Sequence, residues 1–282
     1  MRDVSFGQYY PTGSIVHRLD PRAKVIFSII FMVTIFFVSS YAGYALVALF
    51  LVSVCLISKI PVRNVVKSVK AIIFIMIFTA IINIFFYDSG KVLFEWWKIK
   101  ITLGGIDFAI KMALRISLLV MGTSLLSFTT TPMELTDAIE SLLSPLKLIK
   151  VPVHDIALIM SIALRFIPGL MDETDKIMMA QKARGAEIDT GGLIKKVKAM
   201  LPVLIPLFVS AIRRADELAD ALDARCYNAT EHRTKMKVLR LSWKDAVAFL
   251  FVAAFATLIF LDKYLLGGAD KYIVEFFKGL FA

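Results

Sequence analysis

The sequence predicts an all-α, multi-pass membrane protein, and three observations lead to that class. Hydrophobic residues occupy 58% of the 282 positions and the mean hydropathy is +0.74, whereas a soluble domain has about 45–50% apolar residues. Several apolar runs approach the roughly 20 residues that a helix needs to cross a bilayer. Charged residues still make up 20% of the chain, so we expect a substantial aqueous part beside the membrane part.

The apolar runs predict about five membrane-spanning helices. These spans are residues 25–38, 41–58, 71–87, 109–128 and 246–261. The first two form a tight helical hairpin. We accordingly divide the chain into residues 1–130 with four spans, residues 131–244 as a cytoplasmic arm, and residues 245–282 with the last span and a tail.

Basic residues are distributed unequally among the loops, and this predicts the orientation. The leader, the loop after the second span and the arm are rich in Lys and Arg, with 17 of them between Thr131 and Lys244. The other side carries few: Lys91, Lys98, Lys100, Lys263, Lys271 and Lys278. Because cytoplasmic loops are enriched in Lys and Arg, we expect the N-terminus and the arm inside the cell and the C-terminus outside.

The net charge of +10 is explained by this topology and by anionic lipid head groups. Nucleic acid is not a predicted partner, because the basic residues are split among loops without interleaved aromatic residues.

Lys111 and Arg115 fall inside the fourth span, where a charged residue is by default a candidate functional site. Both lie near its outer end and can reach the interface, and Asp107 is placed to pair with Lys111. We expect a structural role.

No catalytic residue and no metal site is predicted in this chain. The cysteines Cys55 and Cys226 lie far apart in different environments, which does not suggest a disulfide framework or metal-ligand spacing. The histidines His17, His154 and His232 have no second ligand at helical spacing.

The arm is predicted to contain one short and two long helices. Thr131 and Pro132 form a helix start, with a hydroxyl cap and proline in the first turn, and the short helix runs to about Leu143. The long helices run from about Val153 to Arg184 and from about Gly191 to Arg225.

An internal repeat closes both long helices. Asp175, Ala180, Ala183 and Arg184 recur 41 positions later as Asp216, Ala221, Ala224 and Arg225. Alanines at a spacing of three leave one helix face without bulky side chains, so another helix can approach closely. An arginine at the helix end can bind a carboxylate or backbone carbonyls bidentately. A single such arginine would merely complement the helix dipole, but two matching copies indicate two docking points.

The long helices are unusually apolar for an aqueous segment, which predicts a partner surface. Its predicted residues are Ile156, Ile159, Ala163, Ile167, Leu170, Leu204, Leu207 and Phe208. Two alternatives remain open: the apolar faces pack against the spans of the same chain, or the helices are themselves partly embedded in the membrane.

The motifs identify a resemblance. The chain resembles EcfT, the transmembrane coupling subunits of energy-coupling factor transporters, which are related to the CbiQ subunits of cobalt importers. Four motifs carry the resemblance: the leader His17-Arg18-Leu19-Asp20-Pro21-Arg22-Ala23-Lys24, the Thr-Thr-x-Pro start of the arm, Ala183-Arg184-Gly185 and Ala224-Arg225-Cys226. The resemblance covers nearly the whole chain. Cys226 departs from the commoner Ala-Arg-Gly motif, which puts the geometry of the second helix end in question.

The resemblance implies an importer of vitamins or related micronutrients. Each Ala-Arg-x motif would dock into one of two ATP-binding cassette ATPase subunits, and the apolar surface of the arm would seat a membrane-embedded substrate-binding protein, the S-component. This chain would bind no cofactor, since ATP and Mg²⁺ belong to the ATPases, and it has no G-x-x-x-x-G-K-[ST] loop. Two alternative functions are a stand-alone secondary transporter or channel and a membrane enzyme. A transporter or channel of that kind usually has ionisable groups near the bilayer midplane.

Overall fold

The computed structural model describes residues 9–86, 92–96, 99–186, 192–227 and 242–264. They form two compact units. The arm unit comprises the described residues between 146 and 239, and the membrane unit comprises those between 5 and 145 and those after 240. The sequence assigned several features to positions outside the described residues, namely Lys91, Lys98, His232, Lys271, Lys278 and the C-terminal tail.

Helices dominate both units. They are α1 Pro21–Phe37, α2 Tyr41–Ser58, α3 Val62–Lys70, α4 Ile73–Phe86, α5 Leu103–Thr129, α6 Pro132–Leu142, α7 Val153–Ala183, α8 Leu193–Ala224 and α9 Trp243–Tyr264. The all-α prediction is confirmed except for one antiparallel hairpin, β1 Val92–Trp96 with β2 Ile99–Thr102. That segment is rich in β-branched and aromatic residues, which favour strands.

Four or five helices are candidate spans, which agrees with the prediction of about five, although the candidates include α7 and do not include the short helix α1. By length and apolar composition α2, α5, α7 and α9 can each cross a membrane, and α3 with α4, bent by 60°, would add a fifth as a single span. Three cations in the nine residues of α3 would cost about 3 kcal/mol each at the bilayer centre, so α3 does not belong to the buried part of a span. Only α7 of the two long arm helices reaches the required length and composition.

The first predicted span is the short helix α1. It lies beside α9, and hydrogen bonds join the two helices at both ends. The backbone N–H of Asp20 donates to Asp245 Oδ1 at 2.8 Å at one end. At the other end the Ser40 hydroxyl donates to Asp262 Oδ2. Each helix covers about 26 Å between these bonds at 1.5 Å per residue, so α1 spans the same layer as α9.

The leader forms a buried hydrogen-bond network at the end of the membrane unit where α1 begins. Asp20 caps α1 by accepting from the Arg22 N–H at 2.9 Å. Lys24 is 5% exposed, and its ammonium donates to the carbonyls of His17 at 3.0 Å and Thr129 at 2.9 Å. Lys24 thereby ties the leader to the end of α5, because it satisfies carbonyls from both.

The His17 ring lies in this network as well. Its Nε2 lies 2.8 Å from the Tyr10 carbonyl, which can only accept, and its Nδ1 lies 2.7 Å from the Ser14 hydroxyl. The ring is therefore neutral when the hydroxyl donates to Nδ1. Burial, which removes water from the ring, lowers the pKa of His17 below its usual value.

The opposite end of the membrane unit holds Lys111 and Arg115. Lys111 pairs with Asp107 at 3.0 Å, and Asp107 also accepts from the Tyr41 hydroxyl. Arg115 donates to the Val38 carbonyl at 2.8 Å, at the end of α1. Arg115 thus joins α5 to the end of α1, and the Lys111 ammonium, 4.8 Å from the Tyr41 ring centroid, contacts the start of α2. These contacts agree with the structural role predicted for both cations.

Aromatic residues fill the core between α1, α2 and α9. Phe50 and Phe255 stack with their ring centroids 4.1 Å apart, and Phe31 lies beside both. A Cβ at Gly122 of α5 would lie 2.1 Å from the Phe31 ring, so glycine is required there for α1 and α5 to approach each other.

The short helix α6 begins as the sequence predicts. Thr131 accepts from the Glu134 N–H and Glu134 accepts from the Thr131 N–H, both at 3.3 Å, and this pair forms a capping box. Helix α6 belongs to the membrane unit and packs against α1. The compact arm unit therefore starts after α6, with residue 146.

Candidate functional site: two arginine-capped helix ends

The end of α7 is a Schellman motif built around Arg184. Ala183 is the last helical residue and Arg184 is the C-cap, followed by Gly185 with φ +88°. The Gly185 N–H donates to the Lys182 carbonyl and the Ala186 N–H to the Gln181 carbonyl, both at 3.0 Å. These two bonds satisfy carbonyls that the helix end would otherwise leave free.

The end of α8 repeats this geometry residue for residue. Arg225 is the C-cap after Ala224, and Cys226 takes the left-handed conformation with φ +54°. The Cys226 N–H donates to Asp223 and the Tyr227 N–H to Leu222, both at 2.9 Å. These donors and acceptors stand 41 positions after their counterparts in α7, so Cys226 does not change the way the second helix stops.

Both motifs present their side chains to solvent. Ala183, Arg184 and Gly185 are exposed, as are Ala224, Arg225 and Cys226. Neither guanidinium is buried within its own chain, and an exposed Arg at a helix C-terminus presents five donors in a rigid fork. The two motifs are therefore free to bind acceptors on another molecule.

The left-handed residues at the two ends should respond oppositely to substitution. We expect Gly185→Ala to destabilise the end of α7 by about 1 kcal/mol, because a side chain raises the energy of that conformation. No atom of the described residues lies within 4 Å of a Cβ at Gly185, so we expect the cost to come from the backbone. For the same reason Cys226→Gly should stabilise the end of α8 by a similar amount.

Amide hydrogen exchange in the last turns of α7 and α8 measures this local stability. Cys226→Ser is the matched control, since serine keeps a Cβ and should leave exchange unchanged. Equal exchange in the glycine and serine variants would contradict the assigned geometry.

A polar contact joins α7 and α8 along their length. Glu173 of α7 accepts from the Ser210 hydroxyl at 2.6 Å and pairs with the Arg214 guanidinium of α8. The side chains of Arg214 and Glu173 are 36% and 24% exposed, so water screens the pair only in part. We call Glu173, Ser210 and Arg214 the clamp.

The clamp lies at matching points of the repeat. Arg214 follows Glu173 by 41 positions, the same offset as between Arg184 and Arg225. Each capping arginine stands 11 residues beyond the clamp on its own helix, with no proline between. At 1.5 Å per residue both arginines lie about 16 Å along the helix from the clamp, so the two helices project their ends equally far.

The sequence analysis missed the clamp because Asp172, Glu173 and Asp175 resemble an ordinary solvated face. The signal that could have revealed the clamp is the 41-residue repeat, because Glu173 and Arg214 carry opposite charges at equivalent positions of its two copies. A pair of this kind predicts contact wherever two repeated helices cross.

Four residues of the predicted partner surface lie together. Leu170, Leu204, Leu207 and Phe208 line an apolar recess of about 460 Å³ with Ile205, Val209 and Ala211. Leu204 and Phe208 are 49% and 67% exposed. The other four, Ile156, Ile159, Ala163 and Ile167, lie along α7 and are not among the residues that line the recess.

The described residues contain no group of three or more His, Cys, Asp or Glu side chains that could hold a metal ion. Of the two cysteines, Cys55 is buried and Cys226 is exposed beside Arg225. Each helix end therefore offers an exposed arginine guanidinium for recognition.

The fold and the helix ends together define a class: a multi-pass membrane protein with two long helices that end in matching exposed arginines. Comparison with known proteins gives the family. A sequence model of CbiQ, described as cobalt transport protein, matches residues 12–236.

Curated relatives agree. The chain is 52% identical over 264 residues to the energy-coupling factor transporter transmembrane protein EcfT of Ruminiclostridium cellulolyticum, which covers 94% of this chain and 98% of the relative. It is 48% identical over 251 residues to the EcfT of Clostridium kluyveri, with 89% and 93% coverage. It is 44% identical over 260 residues to the EcfT of Bacillus subtilis, with 92% and 98% coverage.

The chain therefore belongs to the EcfT and CbiQ family of transmembrane transport proteins, and the resemblance stated from its motifs is confirmed. It is the transmembrane component of an energy-coupling factor transporter, a membrane-embedded member of a complex with other subunits. As such it is not an enzyme.

Proposed function

We propose that this chain couples two ATP-binding cassette ATPase subunits to a membrane-embedded S-component and thereby drives the import of a vitamin or related micronutrient. The observation that carries the proposal is the pair of matching Schellman caps, each with an exposed arginine. Two equivalent recognition points suit two equivalent grooves on a pair of ATPases.

The clamp supports a mechanical role for the two helices. The Glu173–Arg214 pair fixes α7 to α8 at one level, and the uninterrupted segments beyond it lead to Arg184 and Arg225. When ATP closes the two ATPases upon each other, their bound arginines are displaced with them. Because both arginines lie equally far from the clamp, this displacement would change the angle at which α7 and α8 cross.

The apolar recess is the proposed seat of the S-component. A protein partner embedded in the membrane offers an apolar surface, and Leu204 and Phe208 present exposed apolar side chains at the recess. A change in the crossing angle of α7 and α8 would alter the shape of the recess and so tilt or release the S-component. ATP and Mg²⁺ bind to the ATPases in this scheme, and this chain contributes no cofactor site.

The charge distribution supports an orientation with the N-terminus and the arm in the cytoplasm and the C-terminus outside. The 17 Lys and Arg between Thr131 and Lys244 favour the cytoplasmic side. In this orientation Arg184 and Arg225 would lie in the compartment that contains ATP.

Affinity purification of the tagged chain from its native membrane, followed by mass spectrometry, tests the proposal. We expect two ATPase subunits and a small membrane protein to co-purify. Proteoliposomes with the chain alone should take up no vitamin, with or without ATP, whereas the complete complex should take it up only with ATP. Uptake by the chain alone would contradict the proposal and indicate a stand-alone transporter.

A further inference from the structure

Helix α3 carries a row of cations on one side. Lys59, Arg63, Lys67 and Lys70 follow each other at spacings of four, four and three, and all are exposed. On a helix these spacings place residues on one face. Lys59 precedes the helix as the left-handed C-cap of α2, so the helical spacing applies to Arg63, Lys67 and Lys70.

Valines occupy the adjoining face of α3. Val65 is 2% exposed and belongs to the core of the membrane unit, as does Ile60 just before the helix at 4%. These two residues fix α3 to the protein. Val62 and Val66 are 38% and 49% exposed and lie between the buried Val65 and the cations around the helix.

Helix α4 sets the level of α3 relative to the membrane. None of the side chains of α4 is buried within the chain, and Phe74 in its first turn is 78% exposed. Its 14 residues carry no charge, so this surface requires an apolar environment. Since α3 joins α4 through Ala71 and Ile72 at a bend of 60°, α3 lies where the apolar layer begins.

Within the part of the chain that the structure describes, the helices that pack most against α3 place no acidic residue beside the row. Helix α3 packs against α2 and α5. Helix α2 has no charged residue, and the charged residues of α5 are Asp107, Lys111 and Arg115, all in its first half. The sequence from residue 59 to residue 86 contains four cations and no Asp or Glu.

We propose that the basic row of α3 binds the head groups of anionic phospholipids, with Val62 and Val66 inserted among the neighbouring acyl chains. A short helix with a basic face beside an apolar one is typical of a segment that lies in the membrane interface. An acidic protein surface would satisfy the cations equally well. Lipid is favoured because the exposed valines adjoin the row and because α4 continues the same surface into the apolar layer. The proposal is independent of the coupling function.

Native mass spectrometry of the full chain in detergent tests the proposal, with phosphatidylglycerol and phosphatidylcholine as the added lipids. We expect the wild-type chain to bind phosphatidylglycerol preferentially. The triple variant Arg63→Gln, Lys67→Gln, Lys70→Gln should lose about fivefold in phosphatidylglycerol affinity for each cation removed, with phosphatidylcholine binding unchanged. Added salt should weaken the wild-type preference, since the cations are exposed.

The matched control removes the same charge from exposed positions of the arm unit: Lys176→Gln, Lys196→Gln, Lys198→Gln. It should keep the lipid preference. Equal loss in the control and in the α3 variant would overturn the proposal, because net charge alone would then explain binding. Full phosphatidylglycerol binding by the α3 variant would also overturn it, and loss of a co-purifying protein from that variant would assign the row to a protein partner instead.

Discussion

Replacing both Arg184 and Arg225 by glutamate is expected to abolish co-purification of the chain with its ATPase subunits, while either single replacement weakens it. Both guanidinium groups are exposed at helix ends and available to a partner. Truncating one member of a hydrogen-bonded charge pair at an interface costs about 2–5 kcal/mol, and each 1.4 kcal/mol is tenfold in affinity. Charge reversal adds repulsion from the acceptors that had bound the arginine.

The matched control is the double variant Lys176→Glu, Arg213→Glu. These residues lie on the same two helices, are exposed, and undergo the same change of charge away from the helix ends. Binding to the ATPases, measured with the purified complex at fixed ionic strength, should stay close to the wild-type value. If the control and the Arg184/Arg225 variant lose affinity equally, the helix ends have no special role.

Replacement of Lys24 by methionine should cause a large loss of stability in the membrane unit. The Lys24 ammonium is buried, donates to the carbonyls of His17 and Thr129, and lies among buried carboxylates that include Asp20 and Asp245. Removing one member of a buried charge cluster typically costs about 3–5 kcal/mol, because the remaining charge is uncompensated. Thermal unfolding of the purified chain in detergent measures this loss.

Arg18→Met is the control for this variant, because Arg18 belongs to the same leader and is exposed. A surface substitution of that kind usually changes stability by less than about 0.5 kcal/mol. Equal unfolding temperatures for the two variants would show that Lys24 does not hold the leader to α5.

Local signals in the sequence were sufficient to predict where the helices of the arm begin and end. Thr131 and Pro132 start α6 as predicted, and the long arm helices end at Ala183 and Ala224. These boundaries depend on cap residues and on breaks in apolar pattern, which are visible over a few positions. The first span is a different case, since it was predicted from residue 25 and the helix begins earlier, at Pro21, with Asp20 as its cap.

Contacts between distant positions could not be predicted in the same way. Nothing near Lys24 indicates that its ammonium reaches the Thr129 carbonyl, and nothing near Asp20 indicates Asp245. The left-handed conformation of Cys226 was also unexpected, because it is rare for residues other than glycine. Here the Schellman hydrogen bonds of α8 offset its cost.

The central claim is that each arginine-capped end contacts an ATPase subunit, and crosslinking from Cys226 tests it most directly. This thiol is exposed beside Arg225 while the other cysteine, Cys55, is buried, so a thiol-to-amine crosslinker should react with this chain at one point. In the Cys226→Ser background, Ala183→Cys provides the same probe beside Arg184. We predict that each probe joins the chain to an ATPase subunit, whereas crosslinks from both probes only to the S-component, or only within the chain, would contradict the account.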